Sequence, residues 1–367
     1  MSEKPPFKYW QRETKGMAAH IISGSSADET WRKAAAILLD PELSLCQPSR
    51  DGDTLEILHV TLQVEDPSQR WVASRTPALN PAFALVEVLW IAAGRHDAAL
   101  PNYWNPVLPR FCGQGEYYPG AYGYRLRHQL GIDQLDRVYR ALSSSPDSRQ
   151  CVLQIWDAPA DLPNTDGTPA SRDVPCNVMA LPKIRQGRLE WLQLVRSNDL
   201  FLGLPHNIVQ FTSLQEILSG WLGVKPGAYV QLSDSLHAYS RDIDAIRSSL
   251  VPVVSPTNTD TFALDRRTWD KILPDVMSRL EILTRENLTR AALQAVAFAR
   301  DAPPAYDNSV LVAAADAARR RAWHDLSHDC IDRCTNPALE CLWSRWRARC
   351  EGARARRPVV SGVPMVL

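Results

Sequence analysis

The stretch "IVQFTSLQEILSGWLG", residues 208–223, constrains the fold of this chain more than any other part of its sequence. It is apolar nearly all round, is too long for a single strand and ends at a glycine, a pattern that indicates a buried helix. Such a helix is stable only where other layers of helix or sheet cover it. A chain of 367 residues with 45% hydrophobic residues can build a core of that size.

Strand-like runs lie on both sides of this helix. The runs "CVLQIWD", "CNVMALPKIR" and "RLEWLQLVRS" precede it, the last two joined by the turn "QGR", and "AYVQLSDSLHAY" follows it. A further strand is predicted in "DTLEILHVTLQV". Because these neighbours resemble hairpins and do not alternate strictly with helices, the pattern predicts an α+β fold.

Further helices are predicted before the strands. "ADETWRKAAAILLD" carries Ser26 or Asp28 as a candidate N-cap, and "NPAFALVEVLWIAAG" has Pro81 in its first turn and Gly94 at its end. "GIDQLDRVYRALSSSPDSRQ" is a third amphipathic helix with a Ser/Pro/Asp stop. After the loop "VPVVSPTNTDTF" the remaining chain is predicted to be helical and basic, a character we interpret as solvated helix faces.

Charge and cysteine usage exclude several classes of protein. The 41 basic and 41 acidic residues cancel, which is not typical of a protein that binds duplex nucleic acid or an anionic membrane. Because the opening "MSEKPPFKYW" is polar and rich in proline, we expect no secretory signal, and no apolar run approaches the roughly 20 residues of a membrane span. The eight cysteines have no framework spacing, so we expect reduced thiols and a cytoplasmic protein.

The segment "SRDVPCNVMALPKI" raises the question of whether Cys176 reacts or only fills the core, since free cysteine is usually buried. Arg196 and Ser197 end the strand that is predicted to form a hairpin with the Cys176 strand. A guanidinium near a thiol would lower its pKa and favour the attacking thiolate. Arg196 and Ser197 could equally bind a phosphate.

Two further polar features lie downstream. In "NDLFLGLPHN", Gly203 and Pro205 are predicted to form a tight turn that presents Asn207, whose amide offers one donor and one acceptor to a flat heterocycle. In "DSLHAY", His237 and Tyr239 are two residues apart on a strand and so share a face. Each has an ordinary structural explanation, but their joint order favours a site.

These segments resemble thymidylate synthase and its pyrimidine-nucleotide hydroxymethylase relatives. "VPCN" resembles the Pro-Cys-His nucleophile segment, and "VRSNDLFLGLPHNIVQFTSL" resembles the Arg-Ser-x-Asp-x-Phe-Leu-Gly-x-Pro-Phe-Asn signature. "SSPDSRQ", "VEVLWIAAG" and "GAYGYRLR" are similar to further family segments, and "SRDGDTL" is weakly similar to its arginine loop. The likeness covers roughly residues 50–242. We therefore expect a thymidylate-synthase-like mixed sheet packed by helices at 50–250, a helical segment at 1–49 and a helical C-terminal extension at 251–367.

The resemblance implies a homodimeric enzyme that uses 5,10-methylenetetrahydrofolate on a nucleotide, with Arg149 acting across the subunit interface. Cys176 would add to C6 of the pyrimidine. The implied catalytic residues are Cys176, Glu87, Tyr122 and Asn207. The implied nucleotide-binding residues are Arg50, Arg149, Arg196, Ser197, His237 and Tyr239. The implied folate-binding residues are Asp199, Leu202, Gly203 and Trp104.

Departures from the family pattern bear on the product. Asn177 and His206 stand where a synthase has His and Phe, and Leu236 is inserted before His237. Gln150 replaces the second arginine of the phosphate loop. The added polarity at Asn177 and His206 favours water over hydride at the methylene carbon and hence a hydroxymethylase. Reductive methylation remains the alternative.

The base is also open at this point. Asn207 favours uracil, because deoxycytidylate hydroxymethylases are expected to carry Asp there, but an amide that flips could read cytosine. A cytosine nucleotide (dCMP or CMP) therefore remains an alternative substrate, and the sequence does not separate deoxyribose from ribose.

Other classes of protein explain less of the pattern. A thiol hydrolase using Cys176 and His237 would leave Asn207 and Arg196 unexplained, and a non-catalytic nucleotide-binding relative would need neither Cys176 nor Glu87. His324, His328, Cys330 and Cys334 do not have a common zinc spacing, so no metal site is expected there.

Overall fold

A computed structural model describes residues 20–49 and 51–355, with side chains as far as residue 352. Arg50 and the C-terminal "VPMVL" lie outside the described residues. The strands are β1 His20–Gly24, β2 Leu45–Gln47, β3 Thr54–Val64, β4 Leu153–Gln154, β5 Asn177–Arg185, β6 Arg188–Val195, β7 Asn198–Asp199 and β8 Lys225–Tyr239. The helices are α1 Ala27–Leu38, α2 Pro81–Ala92, α3 Ala99–Trp104, α4 Pro109–Cys112, α5 Tyr122–Tyr124, α6 Gln134–Ser144, α7 Ala158–Asp161, α8 Gly203–Leu222, α9 Ile243–Ser248, α10 Arg266–Leu283, α11 Arg290–Phe298, α12 Pro304–Arg320, α13 His324–Asp332 and α14 Pro337–Ala355.

The strands form one mixed sheet in the order β1-β3-β8-β6-β5-β4, with β2 beside β3 and β7 beside β8. The β5–β6 hairpin turns at Gln186 and Gly187, both with positive φ, as the "QGR" turn predicts. β6 runs parallel to β8, which brings the ends of both strands to the same edge. The predicted α+β architecture, a mixed sheet packed by helices, is confirmed.

Helix α8 is buried along most of its length and packs on the sheet. It begins at Gly203, five residues before the apolar run, so the predicted tight turn at Gly203 and Pro205 is wrong. Both residues lie in the first turn of the helix, where a proline needs no backbone N–H partner. Asn207 is consequently held on a rigid helix and not on a loop.

The predicted caps of the upstream helices are largely confirmed. Ser26 is the N-cap of α1 and accepts from the backbone N–H of Glu29 at 3.3 Å, so Asp28 is not the cap. Pro81 occupies the first turn of α2 as predicted, and the N-cap of this helix is Asn80, which was not predicted. β1 and β2 were not predicted, so the N-terminal segment contributes strands as well as a helix.

The C-terminal extension packs on the core through α12, which contacts α2, and through α14, whose Arg349 donates to Ala78 O at 2.6 Å. The basic stretch "AAADAARRRAWHDLSHDCIDRC" is divided between α12 and α13, with a break where Ala322 has φ 59°. Within residues 20–49 and 51–355, no helix combines the length and apolarity needed to cross a membrane. In the same residues no group of three His, Cys, Asp or Glu side chains could hold a metal ion.

Candidate active site

Cys176 lies immediately before β5, at the sheet edge where β6 also ends. Arg196, the residue after β6, accounts for its placement: its backbone N–H donates to Cys176 O at 2.9 Å. Its guanidinium donates to Pro175 O at 3.0 Å and to Val174 O at 3.2 Å. The guanidinium therefore fixes the backbone that carries the cysteine.

Burial raises the pKa of the Cys176 thiol above its ordinary value, and Arg196 acts in the opposite direction without cancelling it. The expectation that Arg196 lowers the thiol's pKa is therefore wrong for the net effect, because desolvation of the thiolate outweighs the guanidinium's charge. The thiol is protonated at rest and needs a base to become a nucleophile.

Asn207 belongs to a buried series of hydrogen bonds that we call the amide network, made up of Trp191, Gln193, Asn177, Asn207, Asn198 and Ser233. Trp191 Nε1 donates to Gln193 Oε1 at 3.1 Å, and Gln193 Nε2 donates to Asn177 Oδ1 at 3.0 Å. Asn177 Nδ2 donates to Asn207 Oδ1 at 3.3 Å. Asn207 Nδ2 donates to Asn198 Oδ1 at 3.2 Å, and Asn198 Nδ2 donates to Ser233 Oγ at 2.8 Å.

Glu87, on α2, faces His206 and Gln210 on α8. Gln210 Nε2 donates to Glu87 Oε2 at 2.6 Å, and His206 Nδ1 lies 3.7 Å from the same oxygen. Burial raises the pKa of Glu87 to about 7 and lowers the pKa of His206 to about 3, with Arg75 adding to the second effect. Near neutral pH this pair therefore combines a carboxyl that can exchange a proton with an imidazole that stays uncharged.

Tyr122 connects this pair to the cysteine. The ring centroids of Tyr122 and Phe211 lie 5.7 Å apart. Burial is the largest cause of a raised pKa at the Tyr122 hydroxyl, and the nearby charges of Cys176 and Glu87 raise that pKa further. Asn177 acts in the opposite direction by hydrogen bonding to the hydroxyl. The structure thus brings together the four predicted catalytic residues.

The predicted folate-binding residues lie at the start of α8. Asp199 Oδ1 accepts from the backbone N–H groups of Phe201 at 2.7 Å and Leu202 at 2.9 Å. Its other oxygen, Oδ2, has no partner among the described residues, so the carboxylate is fixed with one acceptor to spare. Leu202 is 36% exposed beside it. A ring with an N–H donor and an apolar face fits this arrangement.

Trp104 is the exception among these residues. Its side chain is 1% exposed, and its indole Nε1 has no partner within the described part of the chain. Its backbone carbonyl accepts from Asn80 and Arg320, which joins α3 to α2 and α12. A contact between Trp104 and a bound ligand stays a prediction.

The predicted sugar and phosphate residues are spread around the same edge. His237 and Tyr239 are half-buried on β8, with ring centroids 5.9 Å apart, and Asp199 pairs with His237 through β7. Ser197 is half-buried and Arg149 is exposed. Neither makes a side-chain hydrogen bond to another described residue.

Sequence reasoning missed two parts of the site. Arg75 is 4% exposed, donates to Phe201 O at 2.7 Å and lies 4.0 Å from the Phe201 ring, and nothing in "WVASRTPALNP" singles it out. Trp191 and Gln193 were also missed. A polar Gln at a buried phase of "RLEWLQLV" was the available signal, because buried amides need partners.

A sequence model of the thymidylate synthase family matches residues 47–276. A deoxyuridylate hydroxymethyltransferase of Bacillus phage SP01 is 33% identical over 231 residues, covering 58% of this chain and 59% of that protein. One of Pseudomonas phage M6 is 35% identical over 185 residues, covering 50% and 51%. A putative thymidylate synthase of Methanosarcina barkeri (strain Fusaro / DSM 804) is 33% identical over 229 residues, covering 62% and 93%.

The family match spans well over half of the sequence and includes each element of the site. The chain belongs to the thymidylate synthase family, and the predicted resemblance is confirmed. It spans only about half to three-fifths of the length of the two phage hydroxymethyltransferases.

Proposed function

We propose that this protein hydroxymethylates C5 of dUMP, with Cys176 as nucleophile and 5,10-methylenetetrahydrofolate as one-carbon donor. The observation that carries this proposal is the buried Glu87–His206 pair, which adds a neutral polar acceptor beside a carboxyl whose pKa is about 7. The named activity of the two phage relatives agrees with this assignment.

Addition of the Cys176 sulfur to C6 would break the conjugation of the ring and make C5 nucleophilic. Asn207 would bond the O4 and N3 edge of the base, while Glu87 would exchange a proton with O4. Arg196 and Ser197 would contact the phosphate, and His237 and Tyr239 the sugar.

The bound folate supplies a methylene group at the oxidation level of formaldehyde. Asp199 would accept from its ring through Oδ2, which no other described residue engages, with Leu202 and Gly203 alongside. Arg75 stabilises this region by fixing Phe201, whose backbone N–H holds the Asp199 carboxylate.

The product is decided when the nucleotide carries an electrophilic exocyclic methylene at C5. A water oxygen forms the new C–O bond, the electron pair of the exocyclic double bond moves into the ring toward O4, and expulsion of the Cys176 thiolate restores the C5–C6 double bond. His206 would orient the water, and Glu87 would take its proton, because an imidazole with a pKa of about 3 is a poor base. Of the two residues predicted to determine the product, Asn177 is 0% exposed and bonded to Asn207 and Gln193. The proposal therefore gives the water-orienting role to His206 and not to Asn177.

A homodimer is supported by one face of the sheet. We call it the outer sheet face, and it carries two rows of apolar side chains that are only partly covered in the described structure. One row is Leu181, Leu192 and Val230, and the other is Met179, Leu194 and Leu232. Leu192 is 36% exposed, and the helices pack on the opposite face. Exposed apolar rows of this kind mark an association surface, which a second copy of this chain would cover. The contribution of Arg149 to the neighbouring subunit's site is part of the same proposal.

The test is product analysis with dUMP, dCMP and CMP in separate incubations with methylenetetrahydrofolate, following dihydrofolate by absorbance. The proposal predicts a hydroxymethyl product from dUMP without dihydrofolate. The His206→Phe variant should lower the ratio of hydroxymethyl to methyl product roughly tenfold, because the water loses a hydrogen-bond acceptor. His328→Phe, at an exposed position on α13, is the matched control.

Reductive methylation is the second candidate, and a methyl product with stoichiometric dihydrofolate from the unaltered protein would establish it. A protein that binds dUMP but gives no product with Cys176 intact would be a non-catalytic relative. A hydroxymethyl product from dCMP or CMP would reassign the base or the sugar.

A further inference from the structure

In the amide network each residue donates to the next one along the series from Trp191 to Ser233, and Trp191 fixes this order of donors and acceptors. The indole N–H of Trp191 can donate but cannot accept, so it requires an oxygen from Gln193. Gln193 must then present its amino group to Asn177, and Asn177 must present its own to Asn207. Each amide is therefore held in one of its two orientations.

The opposite end does not impose a direction. Asn198 bonds to the hydroxyl of Ser233, which can donate or accept, and the hydroxyl of Tyr122 near Asn177 is equally adaptable. If Asn207 flipped, Asn198 could follow by flipping against Ser233. Toward Asn177, however, the amino groups of Asn177 and the flipped Asn207 would face each other. Neither Asn177 nor Gln193 could reverse to relieve this, because Trp191 fixes the orientation of Gln193.

We propose that Trp191 and Gln193 are positioning residues that hold Asn207 in the orientation that reads uracil and excludes the flip that would read cytosine. Uracil offers an acceptor at O4 and a donor at N3, and cytosine offers the reverse. An amide locked in one orientation can match only one of these edges. The choice of uracil rests on the proposed function, whereas the lock itself rests on the hydrogen bonds.

The sheet supplies a matched control pair. Trp191 pairs with Tyr229 and Gln193 with Gln231 across β6 and β8, and Gln193 and Gln231 are both 0% exposed. Tyr229 Oη donates to Gln231 Oε1 at 2.8 Å, and Gln231 Nε2 donates to Ser233 Oγ at 3.2 Å. Because Ser233 adapts, changes at Tyr229 and Gln231 should not reach Asn207.

The experiment measures the dissociation constants of dUMP and dCMP by calorimetry without folate, so that binding is separated from turnover. Trp191→Phe removes the donor-only group and should narrow the preference for dUMP by roughly five- to tenfold. Tyr229→Phe, which removes the corresponding donor on β8, should leave the ratio unchanged. Thermal unfolding of each variant checks that it is folded.

Gln193→Glu inverts the network in one nearly isosteric step. The introduced carboxylate accepts from both Trp191 and Asn177, so that Asn177 and then Asn207 must turn over, and the preference should move toward dCMP by roughly 10- to 100-fold. Gln231→Glu buries the same charge at the paired position and should not change the ratio. Titrations at pH 6 and pH 9 cover both states of the introduced carboxyl, since the protonated form would donate to Asn177 as the native amide does.

An unchanged ratio in Trp191→Phe would overturn the inference whatever Gln193→Glu does, as would an equal shift in Gln231→Glu. A native protein that binds neither nucleotide would instead count against the proposed function. Strong binding of dUMP with no effect of Trp191→Phe would leave the function standing and reject the lock.

Discussion

Glu87 combines a structural cost with a chemical use. Burial stabilises its neutral form, and the bond from Gln210 only partly compensates, so its pKa rises from 4.5 to about 7. A carboxyl with this pKa can both give and take a proton near neutral pH, as the proposed reaction requires. The same shift makes the stability of the fold depend on pH.

The raised pKa of Glu87 makes the free energy of unfolding fall as the pH rises. The stabilisation is fully present below pH 4.5 and is lost as the pH rises through 7, because the unfolded chain ionises first. Between pH 5 and pH 8 the free energy of unfolding of the native protein should therefore fall by about 2–3 kcal/mol relative to that of Glu87→Gln, as measured by urea unfolding.

His206 acts in the opposite direction, since its lowered pKa costs stability as the pH falls below 6.5. It is present in both proteins and cancels in the comparison. Parallel stability profiles for the native protein and Glu87→Gln would show that Glu87 is not buried as described.

At the scale of elements, helix α8 is tied to the C-terminal extension through Glu216. Its carboxylate accepts from Arg70 at 2.7 Å, from the hydroxyl of Thr261 at 2.9 Å and from the backbone N–H of Phe262 at 3.0 Å. Just beyond, a Cβ at Gly220 would lie 2.5 Å from Leu264 N, so the loop crosses the helix with no space between them. The loop after residue 250 is thus part of the packing of α8.

Removing the charge at this junction should be costly. Glu216→Gln removes the carboxylate that is directly bonded to the buried Arg70 guanidinium, and the free energy of unfolding should fall by about 3–5 kcal/mol in urea titrations. Asp244→Asn removes one partner of an exposed ion pair and should have no measurable effect. Equal effects of the two substitutions would contradict the role of Glu216.

The elements that sequence reasoning found are those whose signal is local. The N-cap at Ser26 and the "QGR" hairpin need only a few neighbouring residues, and both were predicted. β1 was missed because it is defined by parallel pairing with β3, about 40 residues away in sequence. The start of α8 was misplaced because Gly203 and Pro205 read as turn residues unless the helix behind them is known.

The residues of the site also divide into those with a local sequence signal and those that only the fold brings together. Cys176, Arg196 and Asn207 could be named from their order in a specific signature. The role of Trp191 and Gln193 could not, because it depends on which buried amides meet across four strands and a helix. Likewise, the net rise in the pKa of Cys176 follows from burial, which the sequence does not give.

At the scale of the whole molecule, a site shared between subunits has a measurable consequence. If Arg149 serves the neighbouring subunit, Arg149→Ala and Cys176→Ser should each be inactive alone. Unfolding and refolding them together should restore roughly a quarter of native activity, because half of the dimers are mixed and each holds one intact site.

Leu192→Glu on the outer sheet face should prevent this recovery and give a monomer in sedimentation experiments. Mixed refolding that yields dimers without activity would place Arg149 in its own subunit's site or outside any site.

In the proposed reaction, water and not hydride completes the conversion of dUMP. The most direct measurement is to run the reaction with methylenetetrahydrofolate in oxygen-18 water and determine the mass of the nucleotide product by mass spectrometry. Attack by water should give a hydroxymethyl group that carries oxygen-18, with no dihydrofolate formed. A methyl product without the label, formed in step with dihydrofolate, would contradict it.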